Sequence, residues 1–145
     1  ARLPGVVVMK KGHPLARHRQ IRPEQLAEIP FLALNPEDAS RRRLEAKLAE
    51  HGVTLSAAIH TPYAVSVCEL ASHGLGVGVI NPITALDYAD RGLVIRRLSV
   101  DVSFTSYLAL PAGKVLSGVA KNFLAMMRAQ LSDDEQRLRE YLKTA

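Results

Sequence analysis

A chain of 145 residues with 48% hydrophobic and 23% charged residues has the balance of one ordinary globular domain, which excludes a disordered or fibrous protein. Lys, Arg, Asp or Gly interrupts every apolar run well short of the roughly 20 residues that span a membrane, and the N-terminus reads as neither a span nor a signal peptide. The net charge of +5 can favour polyanions, but the densest basic run, Arg41-Arg42-Arg43, fans out around a helix. With three Phe, four Tyr and no Trp, it lacks interleaved stacking aromatics, so it reads as a solvated surface and not as a nucleic-acid site.

Taken in chain order, Val6, Val7, Val8 and Met9 form a continuous apolar run that predicts a buried strand, ended by the turn Gly12-His13-Pro14. The segment Arg22 to Glu28 predicts a short helix with Pro23 at its first position, and Pro30 stops it. Phe31 to Leu34 is a second buried strand, broken by Asn35-Pro36; Asp38 or Ser40 can cap the helix that follows, where Leu44 and Leu48 fall one turn apart before Gly52. The same unit recurs: a strand over Thr54 to His60, a cap at Thr61 with Pro62 just inside, a helix whose apolar side carries Val65, Cys68 and Leu70, and a stop at Gly74.

The next strand holds Val77, Val79 and Ile80, followed by the Asn81-Pro82 turn and a short helix over Ile83 to Tyr88. Leu93 to Leu98 and Tyr107 to Leu110 are the last strand candidates, the second closed by Pro111. A long helix from about Lys114 carries Val119, Phe123, Met126 and Met127 on one side, and a separate helical tail, capped by its own aspartates, covers Asp133 to Leu142. Cys68, the single cysteine, has no partner for an intrachain disulfide; it fits a small buried hydrophobe and points to a reducing, cytoplasmic setting.

Strands alternating with helices across short connections require crossovers, so the fold class is α/β with a mostly parallel sheet and helices on both faces. In such sheets ligands bind at the carboxyl ends of strands, against the helix starts there. Asn35 to Ser40, His60 to Tyr63 and Asn81 to Thr84 hold that position. Helix starts leave backbone N–H groups unpaired and partly positive, which suits a carboxylate. Ser40, Thr61 and Thr84 add hydroxyls, and Asn35, His60, Asn81 and Pro82 complete the candidate set. Each of these residues also has a plain structural use, as a cap, a turn or a strand-end histidine. The five histidines form no metal-ligand spacing, and no nucleophile elbow or phosphate loop follows a strand, so neither metal nor cofactor is expected.

The order of landmarks resembles the C-terminal, effector-binding half of LysR-type transcription regulators. It rests on His13-Pro14-Leu15-Ala16 after an apolar strand, Pro30-Phe31-Leu32 after a short helix, the passage Glu69 to Ile80, then Gly92-Leu93-Val94 and the closing helix with Phe123, together covering about Val6 to Leu131. Asn81-Pro82-Ile83-Thr84-Ala85-Leu86 is similar to the branch that responds to amino acids and related catabolites. The resemblance implies two sub-domains of periplasmic-binding-protein type 2, joined by two crossing strands, with a small effector in the cleft between them. It implies a homo-oligomer that meets promoter DNA only through a winged helix-turn-helix. Against that pattern the chain reads as a partial domain: residues of roughly 10 to 104 are the whole second sub-domain, 105 to 131 the returning strand and helix of an incomplete first one, and 132 to 145 a helical tail. The leading expectation is therefore a sensor of a small amino-acid-like or carboxylate effector, and not an enzyme. A small α/β enzyme acting on a carboxylate, or an interaction protein without a ligand, are the other classes open to these residues.

Overall fold

The computed structural model describes residues 2–110, 112–113 and 115–144. Its strands are β1 (Arg2–Pro4), β2 (Val6–Lys10), β3 (Gln20–Ile21), β4 (Phe31–Leu34), β5 (Ala57–Thr61), β6 (Val77–Ile80), β7 (Leu93–Leu98) and β8 (Ser103–Thr105). Helices α1 (Ala39–Ala49), α2 (Ala64–Ser72), α3 (Pro82–Leu86) and α4 (Gly118–Thr144) intervene, with short 3-10 turns at Pro14–Arg17, Pro23–Leu26 and Ala89–Arg91. Among the described residues no helix is long and apolar enough to cross a membrane.

Six strands form one sheet in the order β3-β7-β2-β6-β4-β5. Strands β6, β4 and β5 run parallel, as do β3 and β7, whereas β2 is antiparallel to both of its neighbours. The continuous apolar run of β2 is what a strand covered on both faces needs. Val6 and Val8 enter the core beneath α2, α3 and the end of α4, while Val7 and Met9 enter the core beneath α1, following the two-residue alternation of a strand. Cys68 lies in the first of these cores, fully buried. Burial, with Glu69 and Asp87 adding to it, pushes its thiol up to about 12, so it behaves as a hydrophobe and not as a nucleophile.

Strands β1 and β8 pair antiparallel outside the main sheet, with Leu3 opposite Phe104. Gly5, between β1 and β2, donates its N–H to the Val102 carbonyl at 2.6 Å. The two chain segments that leave the sheet thus run side by side, as a pair of crossing strands does.

Several expectations are corrected. The strand predicted over Thr54 to His60 forms later, over Ala57–Thr61, and the helix predicted over Arg22 to Glu28 is only the 3-10 turn Pro23–Leu26. Tyr107 to Leu110 is not a strand: these residues are exposed and pair with no strand among the described residues. A strand needs a ladder partner, and β8, the pairing segment, precedes them. Pro111 and Lys114 lie outside the described residues. Ser117 is the actual start of the long helix, its hydroxyl accepting the Ala120 N–H at 3.2 Å. That helix and the predicted tail are one continuous element. No Pro or Gly interrupts it after Gly118, and Asp134 is absorbed on its surface by Gln130 and Arg137. Its first half leaves Val119, Phe123 and Met126 exposed, whereas Leu138 is buried in the core beneath α2 and α3.

Candidate functional site

The registers bring three loops to one edge of the sheet. Leu34 lies opposite Thr61, Leu32 opposite Gly78, and Val6 opposite Ile80. Parallel strands β6, β4 and β5 therefore end level with one another, and Asn81, Asn35 and Pro62 follow at successive strand spacings of about 4.8 Å. Each loop opens into a helix, and each helix start is closed by a different local device.

At α1 the cap is Asp38. Its Oδ1 accepts the backbone N–H of Ser40 at 2.7 Å and of Arg41 at 3.1 Å, and also the Ser40 hydroxyl. Partial burial opposes ionisation of this carboxyl, but the bonds from Ser40 and Arg41, with the nearby charge of Arg43, outweigh it and hold Asp38 below its usual range. At the entry to α2, Thr61 is buried and its Oγ1 accepts the Tyr63 N–H at 3.3 Å. At α3, Asn81 Oδ1 accepts the Thr84 N–H at 2.9 Å while its Nδ2 donates to Thr84 Oγ1 at 2.9 Å, with Pro82 buried at the first helical position.

An inventory of hydrogens separates these groups. A hydroxyl has one hydrogen to donate and an amide nitrogen two. Ser40 uses its hydrogen on Asp38. Thr61 and Thr84 accept but donate to nothing among the described residues, Asn81 keeps one N–H, and the Asn35 side chain makes no hydrogen bond. What is left at this edge is a set of uncommitted donors, half-buried or buried.

His60 stands apart from this set. It pairs with Ala33, on the α1 side of the sheet, whereas Thr61 pairs with Leu34, on the α2 side. Adjacent residues of a strand face opposite ways, so the two cannot serve one ligand from one face. His60 Nδ1 lies 2.7 Å from Arg41 Nη1. A guanidinium only donates, so Nδ1 accepts and the ring proton sits on Nε2.

Arg41 is the residue that sequence reasoning missed. The basic run fans out as its spacing requires, but the Arg41 side chain is only 12% exposed. It donates to the Leu34 carbonyl at 2.7 Å and to Glu45 at 2.8 Å, tying α1 to the ends of β4 and β5. The signal was the four-residue spacing to Glu45, which places an acceptor beside it on the helix; the reach to Leu34 depends on the packed position of α1.

Beside the strand-end row lies a hollow of about 410 Å³ walled by Leu3, Ile83, Tyr107, Leu108, Leu124 and Met127 among others. Of the α3 start it touches only Ile83, the residue between Pro82 and Thr84, so the hollow adjoins the donor row without containing it.

The chain belongs to the LysR substrate binding domain family, which it matches over residues 1–132. Among curated proteins it is 36% identical over 126 residues to the transcriptional activator protein LysR of Escherichia coli K12, spanning 87% of this chain and 40% of that protein. It is 25% identical over 122 residues to the regulatory protein NocR of Agrobacterium tumefaciens, spanning 84% of this chain and 41% of that one. The chain thus spans well under half the length of these relatives. In fold it is similar to a LysR family regulator of Pseudomonas aeruginosa, with a TM-score of 0.69 at 21% identity over 90% of this chain and 46% of that one. The regulatory domain of Synechocystis CcmR, solved with 2-PG, has a TM-score of 0.67 at 20% identity, covering 88% of this chain and 62% of that one.

Proposed function

We propose that this chain is the effector-sensing part of a transcription regulator, binding a small amino-acid-like or carboxylate metabolite at the strand-end row and acting on DNA through a domain elsewhere in the protein. The observation that carries this is the uncommitted donor set at one sheet edge, from Thr61, Asn81 and Thr84, in a chain of a family of effector-binding domains. A carboxylate is acceptor-only and offers about four lone-pair sites, so it matches donors that have no acceptor. Structures of relatives in fold solved with shikimate and with 2-PG support a small polar ligand. A ligand of this kind controls transcription only in so far as it binds one arrangement of the oligomer better than another.

Thr61→Val tests the reading because it removes the hydroxyl hydrogen while roughly keeping shape. Screening amino acids and organic acids by melting temperature identifies a ligand, and calorimetric titration then compares wild type with the variant. The expected loss is about 1.5–3 kcal/mol, on the order of 10-fold to 100-fold in affinity. Unchanged affinity in a folded variant would place the ligand elsewhere.

A further inference from the structure

We propose that a second recess, which shares Leu3 of β1 with the hollow described above, binds a small dianion of the phosphate or dicarboxylate type. It holds about 240 Å³ and is walled by Arg2 of β1, Arg97 of β7 and Arg139 of α4, with Glu135 and Leu138 of α4 beside them. Three arginines line it beside one glutamate.

The state of each arginine decides what the recess can take. Arg2 is held in place by Asp101 at 2.8 Å and by the Ser103 hydroxyl at 2.7 Å. Arg139 stands 3.9 Å from Glu135, beyond hydrogen-bond reach. Arg97 has no hydrogen bond or ion pair among the described residues. Two of the three therefore retain directional donors with no acceptor, and a guanidinium meets a carboxylate or phosphate through two parallel N–H bonds. One anion with two charges answers two such forks, whereas a monoanion leaves one unanswered. The register fixes the meeting place: Arg97 lies opposite Val6, one residue past Gly5 and the end of β1. An anion there would bridge the main sheet, the crossing strand and α4. An anion that binds the folded chain and not the unfolded one raises the melting temperature.

The test follows the melting temperature of the 145-residue chain against inorganic phosphate, succinate and acetate at constant ionic strength, so that screening is held fixed. A saturable rise with phosphate or with succinate, larger than with acetate, is expected, and the larger of the two names the anion class. Arg97→Gln and Arg139→Gln, both on the surface, are each expected to weaken the apparent affinity on the order of 10-fold, about 1.4 kcal/mol. Thr61→Val is expected to leave it unchanged, which separates this site from the strand-end row. The absence of a saturable rise with either dianion, or the same rise in both arginine variants, overturns the proposal.

Discussion

Gly78 lies on β6 under α2, and replacing it by Ala is the sharpest probe of how α2 is held on the sheet. A methyl built there would sit 2.4 Å from Val67 Cγ1 and 3.1 Å from the Leu32 carbonyl oxygen. Carbon atoms are comfortable at about 3.5–4.0 Å, so roughly 1 Å must be found. Val67 is fully buried and, being β-branched on a helix, has essentially one rotamer. The helix must move instead of the side chain. Overpacking of this kind costs about 1–3 kcal/mol, offset by about 0.4–1 kcal/mol because Ala restricts the unfolded chain. A net loss of about 1–2 kcal/mol, or roughly 2–8 °C in Tm for a chain of this size, is the expectation from thermal unfolding followed by circular dichroism. Val67→Ala relieves the clash, so the double variant should lose less than the sum of the two single losses. A Gly78→Ala protein as stable as wild type, or additivity with Val67→Ala, would refute the argument.

Leu138→Ala removes the anchor of α4 on the core beneath α2 and α3, with an expected loss of about 2–5 kcal/mol and earlier proteolytic cleavage within the helix. Phe123→Ser, on the exposed half of the same helix, should change the melting free energy by under about 0.5 kcal/mol. Asp38 is more acidic in the fold than its usual 3.8; its contribution is complete above that value and lost as pH falls through the lower folded value. Asp38→Ala should therefore cost about 0.5–2 kcal/mol of stability at neutral pH for a lost cap, and less in strong acid, read as a smaller drop in Tm there. His13 is half-buried, its Nδ1 accepting the Leu15 N–H at 3.2 Å, and desolvation lowers its pKa from the usual 6.5. Its contribution is complete above 6.5 and lost as pH falls through the folded value, so His13→Asn, which keeps an acceptor, should flatten the fall of Tm across that window.

Local chemistry made much of the fold legible. Uninterrupted apolar runs at Val6 to Met9, Phe31 to Leu34 and Val77 to Ile80 each became a strand, because a strand buried on both faces has no polar positions. The three loops of the candidate row were also readable, since Asn-Pro, Thr-Pro and capping Asp are signals within a few residues. The row's membership was not. Whether Ser40 or Thr61 keeps a hydrogen for a ligand depends on which neighbour accepts it, and whether His60 shares Thr61's face depends on strand phase, which neighbours in sequence do not report.

Sequence by itself determined the class of the fold and its family, because periodicity, breakers and the order of landmarks are one-dimensional properties. Tertiary structure alone decided what the side chains do. The burial of Arg41 against the Leu34 carbonyl and the gathering of Arg2, Arg97 and Arg139 around one recess join residues far apart in the chain. So does the docking of α4 through Leu138. Such contacts follow from how helices settle on a sheet, and that is fixed by packing summed over the whole core instead of by any segment's own preference.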